Sequence, residues 1–102
     1  MILDAKALLD YFDANSGRYW AEAGRIEMAA EYDRLVVSPF VIAELEPMVR
    51  ESHGVAGWLA VLDELGGGAW SIAVVDAGHL RAVREGVEGG LTLAAASREA
   101  LS

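Results

Sequence analysis

Three short apolar runs, separated by stretches of helical spacing, constrain this chain more than any other feature. Met1-Ile2-Leu3 and Leu35-Val36-Val37 are continuous, and Trp70, Ile72 and Val74 alternate within Ala69 to Val75. Each run has the length of a strand rather than of a helix. Strands separated by helices imply a parallel sheet with right-handed crossovers. The expected order is β-α-α-β-α-α-β-α-α, an α/β fold in which Ile2-Leu3, Leu35 to Val37 and Ile72 to Val74 are buried.

The helices between these runs carry local start and stop signals. Ala7, Leu8, Tyr11 and Phe12 fall on one helical face, which predicts a first helix from about Lys6 to Phe12. Tyr19, Ala23, Ile26 and Ala30 predict a second from about Arg18 to Tyr32. Ser38-Pro39 reads as N-cap and first helical position. Pro47 lies inside the helix that follows and lacks the amide to bond Ala43, so a kink or an early end is expected there. Gly54 opens a further helical stretch, Val55 to Leu65, with Trp58, Leu59, Leu62 and Leu65 as its apolar stripe and Gly66-Gly67-Gly68 as its stop. Asp76 caps a helix to about Glu85, and Thr92 caps one over about Leu93 to Leu101.

Composition narrows the partners. The 102 residues suit one domain. A net charge of −8 repels nucleic acid over most of the surface and favours a basic partner. Action on RNA would need a local Arg cluster or a metal ion to offset the acids. No cysteine is present, which removes disulfides and thiolate chemistry. No apolar run approaches the roughly 20 residues that span a bilayer, so no membrane partner and a cytoplasmic location are expected.

Two carboxylates stand where an α/β fold keeps its chemistry. Asp4 ends the first strand, and ligands of such sheets bind beyond the carboxyl ends of the strands. Asp4 also reads as an N-cap for the helix it precedes. Glu44 lies on the helix after the second strand, and if the two strands are neighbours both acids converge above one sheet edge. Paired carboxylates are hard oxygen ligands of the kind Mg²⁺ or Mn²⁺ takes. An exposed pair of helix acids is the plain alternative. His53 and His79 have no metal-ligand spacing and read as surface residues.

The stretches Met1-Ile2-Leu3-Asp4-Ala5-Lys6-Ala7-Leu8-Leu9, Leu35-Val36-Val37-Ser38-Pro39-Phe40-Val41-Ile42-Ala43-Glu44-Leu45 and Leu65-Gly66-Gly67-Gly68-Ala69-Trp70 resemble PIN-domain toxins of VapBC-type toxin–antitoxin pairs. The resemblance implies a parallel sheet with helices on both faces, a ribonuclease dependent on Mg²⁺ or Mn²⁺, and inhibition by a small antitoxin. It makes Asp4 and Glu44 the first two acids of a catalytic metal site. Three departures accompany it. Ala5-Lys6 stands where the family has Thr-Ser, and Ala95 stands where a third acid is expected. The family's closing strands have no counterpart, so residues 1–102 read as one PIN-like domain short at its C-terminus. Two functions follow: a metal-dependent ribonuclease acting on RNA phosphodiesters, or an inactive PIN-like binding protein that associates with an antitoxin or with itself. The loss of neighbouring strands predicts a homodimer or hetero-complex, because it leaves the first strand as an open edge. Lys6 could reach the same pocket as Asp4, or point into solvent.

Overall fold

A computed structural model of the chain describes residues 2–12, 35–68 and 70–102. Its elements are α1 (Ala5–Phe12), β1 (Leu35–Val37), α2 (Pro39–Leu65), β2 (Trp70–Ile72), α3 (Ala77–Glu88) and α4 (Leu93–Leu101). The expected helix over 18–32 lies outside the described residues.

Among the described residues the sheet is parallel, as the spacing predicts, but it has two strands and not three. β1 and β2 pair in the register Leu35 with Trp70, Val36 with Ser71 and Val37 with Ile72. The first run contributes one isolated parallel bridge, Ile2 with Val36, and one bond from Leu3 N to Val36 O at 3.1 Å. The run is cut short because Asp4 turns the chain into α1: Asp4 Oδ1 accepts from Ala7 N at 2.7 Å.

The third run is also shorter than its alternation implies. Ala73 N still bonds to Val37 O at 2.9 Å, but β1 ends at Val37 because Ser38 caps α2. Among the described residues no partner strand lies beyond that point, and Val74 is 82% exposed, with Ile72 exposed as well. Trp70 carries the burial instead. Its ring meets Tyr11 edge-on at 5.8 Å, and its indole Nε1 donates to Glu64 Oε1 at 3.4 Å.

Ser38 starts α2 as expected, with its Oγ accepting from Phe40 N at 3.2 Å and Pro39 in the first turn. The helical run then passes through Pro47 and breaks at Gly54, whose φ of 68° and ψ of −170° are non-helical. Ala43 and Pro47 are both exposed, so water can serve the carbonyl that Pro47 leaves without a donor. The backbone at Gly54 suits a residue without a Cβ. Beyond it the buried residues are Trp58, Val61 and Leu65, whereas Leu59 and Leu62 face solvent.

The core lies between α1, the sheet and the inner face of α2. Leu3, Leu8, Val37, Val41, Leu45 and Val49 are almost completely buried there. α3 and α4 form a packed helical pair. Asp76 and Thr92 cap them, through His79 N at 2.8 Å and Ala95 N at 3.2 Å. α3 runs to Glu88, about one turn further than the sequence suggests, before Gly89 and Gly90 turn the chain. Among the described residues no helix is long and apolar enough to cross a membrane.

Candidate functional site

The two predicted acids meet at one cavity. It has a volume of about 210 Å³, and Asp4, Lys6, Glu44, Thr92, Ala95 and Arg98 are among its lining residues. Asp4 reaches it from the turn between the first extended residues and α1, Glu44 from the second turn of α2, and the others from α1 and the start and end of α4. The sheet sets this convergence, because Ile2 lies beside Val36 and the chain leaves both strands at the same end.

Asp4 caps its helix as expected and also lines the cavity. Oδ1 caps α1, and Oδ2 faces Arg98, whose Nη1 lies 3.3 Å away. The Asp4–Arg98 pair is about half exposed, with side chains 46% and 41% accessible. Arg98 lies in the last turn of α4, where the helix dipole favours a cation. Glu44 is exposed, and among the described residues no group pairs with it. Lys6 is exposed and lines the cavity too. Two acidic side chains therefore face two basic ones, and the cavity's formal charges balance.

A resident divalent ion does not fit this set. Ala95 presents a methyl group to the cavity at the position where an acid is expected. Among the described residues no group of three or more His, Cys, Asp or Glu could hold a metal. Mg²⁺ sheds its waters reluctantly and needs concentrated negative charge to do so. Here one carboxylate of the two is already shared between a helix cap and a guanidinium.

Arg98 is the site residue that sequence reasoning missed, and no local pattern signals it, since it lies 94 positions from Asp4. His79 was expected at the surface but is half-buried. Its Nε2 lies 2.7 Å from Ser97 Oγ, and its ring stacks on Phe40 at 6.4 Å with an interplanar angle of 10°. Ser97 Oγ in turn lies 2.5 Å from Ser38 Oγ, both residues fully buried. Ser38 already accepts from Phe40 N, so every hydroxyl proton finds an acceptor if Ser38 donates to Ser97 and Ser97 to His79. The chain of bonds ties α3 and α4 to the β1–α2 junction and fixes the backbone next to Arg98. It lies too deep to act as a nucleophile. His53 is exposed and borders a larger, mostly apolar cavity of about 700 Å³ between α1 and α2.

No family model matches the chain. Ribonuclease VapC26 of Mycobacterium tuberculosis is 51% identical to it over 73 residues, which are 72% of this chain and 53% of that protein. The chain thus spans about half the length of the curated relative it matches. The crystal structure of Mycobacterium tuberculosis VapC20, described as a Sarcin-Ricin loop cleaving toxin, superposes with a TM-score of 0.81. That match covers 98% of this chain and 78% of VapC20 at 13% identity, and so it speaks for the fold alone. A chain that folds like one VapC protein, and over most of its length shares half its residues with another, belongs to the PIN-domain family of VapC-type toxins.

Proposed function

We propose that residues 1–102 act as a single PIN-like binding unit that associates with an antitoxin or with a second copy of itself, and that it cuts RNA weakly or not at all. The neutral cavity carries this reading. Arg98 sits on Asp4, Ala95 supplies no oxygen, and Lys6 adds a second cation. Association is supported by the sheet edges. Among the described residues, Ile2 and Leu3 touch the sheet through one bridge only, and Ile72 and Val74 leave apolar surface beyond β2. Edges of this kind invite pairing with another chain. The kinship with VapC26 supports an antitoxin as the partner.

A second reading has one observation in its favour: Asp4 and Glu44 do line the same cavity, as a ribonuclease dependent on Mg²⁺ or Mn²⁺ would require. The two readings part in one experiment. The purified chain is incubated with labelled RNA and Mg²⁺ or Mn²⁺, beside its Asp4→Ala variant, and its mass in solution is measured by light scattering. The expected result is no metal-dependent cleavage together with a dimer or larger species at micromolar concentration. Cleavage that disappears in Asp4→Ala would restore the ribonuclease, and a stable monomer would remove self-association.

A further inference from the structure

We infer that Arg98 is a built-in counter-ion that holds Asp4 in place of a divalent cation, so that this side chain is one cause of the cavity's poor fit for a metal. The inference rests on the proposed reading of that cavity as neutral and poor in ligands, and it names a residue that makes it so.

Asp4 has two oxygens, and their roles differ. Oδ1 is held by Ala7 N at 2.7 Å as the cap of α1. Oδ2 is the oxygen left for a ligand, and Arg98 Nη1 lies 3.3 Å from it. A cation that uses Asp4 must take Oδ2 and turn the guanidinium aside, or bind next to it. The guanidinium cannot release its charge by losing a proton. It can move, however, because an ion pair exposed to this degree is held weakly. Arg98 is thus a competitor and not a lock.

The backbone beneath it is firmly placed. Ser97 is fully buried and bonded to Ser38 and His79, and Ala96 is packed against α3. The guanidinium therefore swings from a fixed base. Ala95 and Arg98 are three residues apart, so their side chains share a face of α4. A carboxylate at position 95 would give Arg98 a partner on its own helix. With alanine there, Asp4 is the acid that Arg98 meets. The missing acid and the captured Asp4 are then two aspects of one arrangement.

A unit charge about 6 Å from a divalent ion, in a water-like dielectric, changes affinity roughly tenfold. The test is Mn²⁺ titration by calorimetry of the unaltered chain, Arg98→Gln, Arg98→Lys, and Asp4→Asn combined with Arg98→Gln, with circular dichroism on each to verify the fold. Arg98→Gln should bind Mn²⁺ about tenfold more tightly than the unaltered chain. Arg98→Lys keeps the charge and should stay near the original affinity. The double variant should lose the gain, since asparagine still caps α1 but offers the ion no charge. Equal affinity for Arg98→Gln and the unaltered chain would overturn the inference, as would a gain that survives in the double variant. Should Arg98→Gln not fold, the Arg98 Nε–H resonance of the unaltered chain decides: it should shift as Mg²⁺ is added, and an unmoved signal alongside shifting Asp4 and Ala5 amides would overturn the inference. These outcomes are separable from the proposed function. RNA cleavage by the unaltered chain would refute that reading without touching the Arg98 comparison, and an inert Arg98→Gln would leave an absence of cleavage standing.

Discussion

Replacing Gly86 by alanine sets two known effects against each other, and the structure decides the sign. In a helix interior, Gly to Ala is stabilising by about 1 kcal/mol through backbone entropy. At Gly86, however, α4 crosses close to α3. A Cβ there would lie 2.8 Å from Ala96 Cβ, 3.3 Å from Ala96 Cα and 3.3 Å from Leu91 Cδ1. Carbon atoms prefer about 3.5–4.0 Å. Leu91 can rotate away, but Ala96 is 2% exposed and has no rotamer to change, so α4 itself would have to shift. Overpacking of this kind costs about 1–3 kcal/mol. The net expectation is a loss of about 1 kcal/mol, with a range from roughly zero to 2. Urea unfolding followed by the fluorescence of the tryptophans is a suitable assay, at one fixed protein concentration because association adds apparent stability. With a slope of about 1–3 kcal/mol per molar urea, the midpoint should fall by roughly 0.3–1 M. Ala96→Gly in the Gly86→Ala background removes the 2.8 Å contact. The double variant should therefore be less destabilised than the sum of the two single changes. If Gly86→Ala proves about 1 kcal/mol more stable than the original, propensity alone is at work and the close-approach argument fails. Strict additivity in the cycle would refute it equally.

Two further substitutions probe the frame around the site. Ser97→Ala should cost about 1–3 kcal/mol, because the fully buried Ser38 hydroxyl and His79 Nε2 both lose their partner; chemical denaturation measures this, and a change below roughly 0.5 kcal/mol would mean that water or another group replaces the hydroxyl. Gly54→Ala should also cost about 1–3 kcal/mol through the backbone, since no atom beyond the adjoining backbone lies within 4 Å of the added Cβ. A thermal melt at or above that of the original chain would show that the φ of 68° at Gly54 is not required.

Much of the scaffold was legible because helix starts are local. Asp4, Ser38, Asp76 and Thr92 each announce a helix through a side-chain oxygen that accepts from an amide two or three residues on, and all four do so in the structure. The strands were legible in position but not in extent. Alternation at Trp70, Ile72 and Val74 says which residues share a face, not whether a neighbour covers it, and among the described residues Val74 has none to pair with because β1 ends at Val37. Pro47 does not end the helical run, and it lies on an exposed face where water can serve the freed carbonyl. At the site, the convergence of Asp4 and Glu44 was readable from two neighbouring runs that each lead into a helix, whereas their role as metal ligands came from resemblance to a family. The Asp4–Arg98 and Ser38–Ser97 contacts join residues 94 and 59 positions apart, and no local periodicity encodes them.

The break at Gly54 has a consequence for rotational phase. An α-helix advances about 100° per residue, so Val41, Leu45 and Val49 stay within a quarter turn of one another. Trp58 follows Val49 by nine positions, which in an unbroken helix would be about 900°, half a turn out of phase. A continuous rod could not bury Val49 and Trp58 on the same side. The non-helical residue resets the angle, and Trp58, Val61 and Leu65 come back to the core on a new bearing. The half of α2 that holds Glu44 is thereby freed from the register of the half that follows. Residues inserted or removed immediately beside Gly54 would re-aim Trp58 and its companions while leaving Glu44 pointed at the same cavity.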